Sequence, residues 1–262
     1  MCFQKIFHRN RNTGLIPQPI DERDYLYTPE KVSGEVLTTG VDLRDKFPTA
    51  TYQNGYNSCS YHAICALLDY NLKYKKQFTS WEMNTSEAFL WYYGRLRMGT
   101  QTQNAGTILR DGFKVIKQWG FIPENEWTYS NGIYKEPSAR AKMMGETFKL
   151  YLAQIKGYYS IIPKFDTTIS LIVNALDNEL PVVFGMPTDS AYTSVRKANP
   201  YVDVVTGSSG YHAQIIVGYK YYNDLLYFIV RNSWGTSWGE RGYAYVNSNL
   251  IKNVGFDYWT LK

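Results

Sequence analysis

The hydrophobic period of this chain changes once, near residue 145, and that change limits the folds open to it. Before it, apolar residues recur at helical spacing; after it, they run in short alternating or continuous strand-like stretches. The segment Cys59–Lys73 is apolar on most sides (Ala63, Ile64, Ala66, Leu67, Leu68, Leu72) and predicts a buried helix with Ser58 at its N-cap. Further helices are predicted over Ser86–Arg97 and over Ile108–Trp119, the second closed by Gly120. Beyond 145 the pattern predicts strands at Phe148–Leu152, Gly157–Ile162, Val182–Gly185, Ala213–Tyr219, Leu225–Val230 and Gly242–Val246, with a short helix at Thr168–Glu179. No repeat or flexible linker divides the two halves. The expectation is an α+β protein of two lobes, helical over about 41–145 and β-rich over about 146–262.

Residues 1–40 stand apart. They are polar, carry Pro17, Pro19 and Pro29, and show no sustained period, which predicts an extended arm. Within it, Asp21–Tyr27 reads as a charged turn followed by a short alternating piece. The first eleven residues do not form a secretory signal, because Gln4, Lys5 and His8 interrupt the apolar stretch. No run approaches the roughly 18 apolar residues of a spanning helix. An intracellular, reducing compartment (cytoplasm or virion) is expected, with no membrane partner.

Composition removes other classes. At 262 residues and 44% hydrophobic content the chain can bury a large core and is not disordered. Three cysteines (Cys2, Cys59, Cys65) are too few for a disulfide scaffold. The net charge of +5 is small and scattered, so basic clusters such as Lys73–Lys76 and His8–Arg11 do not make a nucleic-acid-binding face. Cys59, His62 and Cys65 look like metal ligands on paper. However, positions i and i+6 of a helix point about 120° apart and no fourth ligand is evident, so neither metal nor cofactor is expected.

Three segments carry chemistry. Cys59 opens the buried helix, where the helix dipole and unpaired backbone N–H groups favour a thiolate. A small packed cysteine would suit the same place. Gln53, six residues upstream, has an amide able to donate to an oxyanion together with the Cys59 N–H. His212 opens an apolar strand after the loop Gly207-Ser208-Ser209-Gly210, either as a reactive imidazole or as a strand cap. Asn232 follows the strand Leu225–Val230 and leads into Ser233-Trp234-Gly235-Thr236-Ser237-Trp238-Gly239-Glu240-Arg241-Gly242-Tyr243. Its side chain can orient an imidazole, and an indole can shield that bond.

Together these segments resemble the papain-like cysteine protease family: a Gln six residues before a helix-starting Cys, a His-Ala strand start, then Asn-Ser-Trp-Gly-x-x-Trp-Gly-x-x-Gly-Tyr. The Cys-to-His and Cys-to-Asn intervals equal or exceed the roughly 130–150 residues usual there. Weaker similarity extends to Val41-Asp42-Leu43-Arg44, Gly106-Thr107-Ile108 and Leu180-Pro181-Val182-Val183, and the divergent bacterial and large-DNA-virus members look nearest.

The resemblance implies a helical left lobe, a β-barrel-like right lobe and a cleft between them. It implies Cys59 as nucleophile, His212 as general base and acid, Asn232 as its support and Gln53 as oxyanion donor. Trp234 would cover the His–Asn pair, with Gly106, Thr107, Tyr211 and Gly185 contacting a polypeptide substrate. A thiolate–imidazolium pair, no cofactor and a monomeric endopeptidase are further expectations. Departures also show. Tyr56 replaces a disulfide cysteine, Asn57 replaces a glycine in a turn that asparagine's tolerance of left-handed geometry would permit, and Ser60 replaces a tryptophan. The family's long helical prodomain is missing; residues 1–40 would be a short substitute that partly covers the cleft, or an arm along the back of the lobes. An inactive papain-fold binding protein, or an acyl transferase using the same residues, is the alternative.

Overall fold

A computed structural model describes residues 12–29, 40–76, 78–82, 84–153, 155–161 and 167–262. Cys2, the His8–Arg11 cluster and Ile162 lie outside the described residues.

The helical lobe is built on α1 (Cys59–Tyr70), every residue of which is buried. It passes without a break into one wider π turn at Asn71–Lys75. Around it pack α2 (Glu87–Arg97) and α3 (Leu109–Trp119), then the single turn α4 (Tyr129–Gly132) and α5 (Ala139–Leu152). Local signals explain the ends. Ser86 caps α2 by accepting from Phe89 N, Glu87 sits in its first turn and Arg95 and Arg97 in its last, while Gly120 closes α3 at φ 73°.

The β-rich lobe holds most of one mixed sheet. Its strands are β1 (Gly40–Asp42), β2 (Tyr158–Ile161), β3 (Val182–Thr188), β4 (Tyr201–Val202), β5 (Gly210–Tyr222), β6 (Leu225–Arg231), β7 (Tyr243–Asn247) and β8 (Phe256–Leu261). They run in the order β2-β8-β3-β5-β6-β7-β4, with β1 also paired to β5. The helices α6 (Thr168–Asp177), α7 (Ser190–Thr193) and α8 (Ser248–Val254) complete the lobe. The β5–β6 hairpin turns through Asn223 and Asp224 at φ 49° and 60°, the left-handed pair that matches strand twist. One contiguous core spans both lobes, and Trp91, Trp234, Trp238 and Trp259 are fully buried in it.

The strand expected at Phe148–Leu152 is instead the last turn of α5. Phe-Lys-Leu-Tyr-Leu alternates like a strand, but Leu150 is 76% exposed while Phe148 packs on Trp81 and Phe121. Ser138, which accepts from Ala141 N, is the start signal that governs this stretch.

Candidate active site

Cys59 is the first residue of α1, placed by a loop that is tied to the segment after β6. Gln53 N donates to Ser233 O at 2.9 Å and Gly235 N to Thr51 O at 2.9 Å. The loop turns at Asn54 and Gly55, φ 48° and 77°; Asn57, expected to take up the left-handed geometry, does not. Asn57 is held instead by Asn104, which accepts from its N at 2.8 Å and its Nδ2 at 2.9 Å. Ser58 does not cap α1 with its side chain. Its Oγ lies 2.6 Å from Tyr129 Oη, and that phenol donates to Gln53 O at 3.0 Å, bracing the loop from the side. Ser60 Oγ donates to Thr107 O at 3.3 Å.

His212 lies on β5 opposite Met186 of β3, and Asn232 follows the last residue of β6. Asn232 Oδ1 accepts from His212 Nε2 at 2.7 Å and from Ser233 N at 2.7 Å. Trp234 stacks on the imidazole at 4.4 Å and 21°, sealing that bond from water. With the proton on Nε2, Nδ1 carries a lone pair and has no protein partner. Cys59 Sγ accepts from the amide of Ala213, the next residue after His212, at 3.5 Å. Cys59, His212 and Gln53 are wholly buried and Asn232 nearly so. Burial pushes the Cys59 thiol up to about 11 and the His212 imidazole down to about 4. In this covered state burial favours the uncharged thiol and imidazole over the expected thiolate–imidazolium pair.

The N-terminal arm does the excluding. Asn12 O accepts from Gln53 Nε2 at 3.0 Å and from Trp234 Nε1 at 3.1 Å, so a backbone carbonyl sits on the expected oxyanion donor. Gln53 Nε2 also donates to Tyr56 O, and Gln53 Oε1 accepts from Ser233 Oγ. The arm then pairs with both walls of the cleft. Gly14 N and Leu15 N donate to Tyr211 O, Thr107 N donates to Gly14 O and Ile16 N to Thr107 O, at 2.8–3.1 Å. Gly106 leaves room for Gly14 O, which an added Cβ would strike, and Leu15 packs where a Cβ on Gly185 would overlap it, beside Phe256. Of the expected substrate contacts, Gly106, Thr107, Tyr211 and Gly185 therefore line one groove filled by residues 12–16. Trp234 is buried behind it.

Farther along, Arg110 grips the arm. Its Nη2 lies 2.6 Å from Asp24 Oδ2 and donates to Pro19 O, and Gln18 N donates to Asp257 Oδ2. Tyr25 and Tyr27 then exchange backbone bonds with Ser160 of β2. Sequence reasoning missed Leu15, Asp24 and Tyr129. The apolar pair Leu15-Ile16 in a polar arm was the visible signal for Leu15, while Tyr129 and Asp24 act on residues 71 or more positions away. Among the described residues, no group of three His, Cys, Asp or Glu side chains could hold a metal, and no helix is long and apolar enough to cross a membrane. Cys59 and Cys65 are free and buried.

Comparison with known proteins agrees with this arrangement. Residues 38–258 match the family described as papain family cysteine protease. An uncharacterized peptidase C1-like protein of Acanthamoeba polyphaga mimivirus is 26% identical over 97% of this chain and 87% of its own length. A cathepsin L-like proteinase of Fasciola hepatica is 26% identical over 55% of this chain, which spans only 41% of that protein. The crystal structure of xylellain, a cysteine protease from Xylella fastidiosa, superposes with a TM-score of 0.80 at 26% identity, covering 97% of each chain. A papain-type two-lobe fold, a helix-starting cysteine and a shielded His–Asn pair meet in one cleft, and the chain belongs to the papain family of cysteine proteases.

Proposed function

We propose that this peptidase cleaves polypeptides through Cys59 and is made as a zymogen whose residues 1–40 restrain the catalytic domain 41–262. The Cys59 S–H proton passes to His212 Nδ1 as sulfur attacks the scissile carbonyl carbon. Gln53 Nε2–H and the Cys59 N–H hold the oxyanion, a donor of this kind contributing about 10²–10³ in rate. The imidazolium returns its proton to the leaving amine, giving a thioester. Water, deprotonated by His212, then releases the acid and the thiol. Asn232 keeps the imidazole proton on Nε2 throughout.

The observation that carries this reading is the His212 Nε2–Asn232 Oδ1 bond beneath Trp234, with Nδ1 unpartnered and Cys59 Sγ against the Ala213 amide. Asn12 O takes the position on Gln53 that an oxyanion needs, so the arm must leave before turnover. Leu15 beside Gly185 and Phe256 favours substrates with a branched aliphatic side chain in that pocket. The free thiols of Cys59 and Cys65, and Tyr56 where the family resemblance would place a disulfide cysteine, suit a reducing compartment.

The test is labelling with an epoxysuccinyl probe of the full chain, its Cys59→Ala and Cys65→Ala variants, and a chain trimmed before Val41. Labelling should be slow in the full chain, fast in the trimmed one and lost only in Cys59→Ala. Persistence in Cys59→Ala removes the nucleophile assignment, and equal rates before and after trimming remove the zymogen.

A further inference from the structure

Behind the site, the three elements that carry Cys59, His212 and Asn232 line a small cavity with a few polar groups among apolar ones. His62 enters it from α1, Gln214 from β5, and Arg231 and Asn232 from the end of β6. It leaves about 10 Å³ for the centre of a water molecule, which is roughly the least that admits one. All four residues are buried. Each has one polar atom with no partner in the protein: His62 Nε2, Gln214 Nε2, Arg231 Nε and Asn232 Nδ2. Buried polar atoms of native proteins are seldom left so, and these four belong to residues that line one cavity.

Their chemistry is complementary. His62 Nδ1 lies 3.0 Å from Glu87 Oε1 and 2.9 Å from Thr51 Oγ1, and Glu87 is itself buried. With the Nδ1 proton directed at these two oxygen acceptors, Nε2 offers a lone pair to the cavity. The other three atoms are N–H donors. One water can accept from two of them and donate to His62 Nε2, in the manner of buried waters that make about three hydrogen bonds.

The orientation of Asn232 gives this water a task. A flipped amide would turn Nδ2–H toward His212 Nε2 and drive the imidazole proton onto Nδ1, the nitrogen that has to receive the proton of Cys59. Whatever holds Nδ2 on the far side therefore holds the reactive tautomer. We propose that His62, fixed by Glu87, is a positioning residue that locks the Asn232 amide through one water bound in this cavity. It rests on the roles proposed above for Cys59, His212 and Asn232, and it acts on the imidazole only through Asn232.

The chain contains three histidines, so nitrogen NMR of the full-length, histidine-labelled protein can read each tautomer. The variants are His62→Phe, His62→Gln, Asn232→Ala and the double His62→Phe/Asn232→Ala, with iodoacetamide alkylation of Cys59, followed by mass, as second readout. Asn232→Ala should move part of the His212 proton to Nδ1; an unchanged tautomer there overturns the role of Asn232 and this proposal with it. With Asn232 upheld, His62→Phe should shift the tautomer the same way and slow alkylation about tenfold, the scale of one lost buried hydrogen bond. His62→Gln, which keeps a polar group, should recover the rate to within about threefold. In the Asn232→Ala background, His62→Phe should cost nothing more. An unchanged tautomer and rate in His62→Phe, or an equal loss in both backgrounds, overturns the proposal. Glu87→Gln leaves the cavity wall intact and should weaken the rate about threefold, which serves if His62→Phe does not fold.

Discussion

Replacing Leu15 by alanine asks how much of the closed cleft rests on one side chain. Leu15 is 5% exposed, packed on Gly185 and Phe256, and it is the arm's apolar anchor inside the groove. The change removes three carbons from a buried site, which at about 0.8 kcal/mol per methylene is about 2 kcal/mol. The backbone bonds of Gly14 and Ile16 to Thr107, and that of Leu15 to Tyr211, remain. If the arm lifts and settles as a unit while the rest stays folded, the open fraction rises about 30-fold. An epoxysuccinyl probe in excess reads that fraction directly, because it reacts with Cys59 only when the arm is up. The pseudo-first-order labelling rate should rise about 30-fold, and the thermal transition of the whole molecule should stay close to its starting value. A labelling rate within twofold of the parent would refute the reasoning, since the arm would then be held by something other than Leu15, or the covered state would not limit access at all.

Other outcomes follow from neighbouring contacts. Asp24→Asn removes the partner of a nearly buried Arg110, so limited proteolysis within residues 12–29 should accelerate about tenfold; an unchanged cutting rate would show that the pair does not hold the arm. In the closed chain the rate of Cys59 alkylation should keep rising toward pH 11, because burial holds the thiol up to about 11. In Leu15→Ala the midpoint should fall toward neutrality, and coincident profiles would contradict the role given to burial. Glu124 is pushed up from 4.5 to about 7, chiefly by burial, with Glu87 adding to the effect. The folded chain thus holds that proton more tightly than the unfolded one, a stabilisation full below about 4.5 and lost as pH rises through about 7. Glu124→Gln should therefore gain on the parent between pH 5 and pH 8 by about 1 kcal/mol, after allowance for partial exposure, in chemical denaturation; an equal difference at both pH values would exclude the linkage.

The parts that were legible in the sequence are those set by local pattern. Buried α1 follows from its apolar faces, the middle of β5 and most of β6 from the apolar runs Ala213–Tyr219 and Leu225–Val230, and the position of Asn232 from its run of glycines and tryptophans. Phe148–Leu152 failed because five residues of alternation are too few to separate a strand from one helix turn, and the deciding cap at Ser138 lies ten residues away. Asn57 failed for a different reason. A motif position says which residue replaces glycine, but the left-handed geometry had moved to Asn54 and Gly55. The electrostatic state of the cleft was illegible because it depends on Asn12 and Leu15, which carry no chemical signature and act only by where the arm lies.

The pairing of Tyr25 and Tyr27 with Ser160 has a consequence beyond the cleft. The strand β2 ends the sheet, with β8 on one flank and the arm on the other. Shedding the arm would bare a row of unpaired N–H and C=O groups along that flank, a template for strand addition by another chain. Under the proposed zymogen reading, activation and colloidal risk would be joined in one segment: a cut that freed the thiol would also uncap the sheet, and the trimmed form would carry a sticky margin that the full chain lacks.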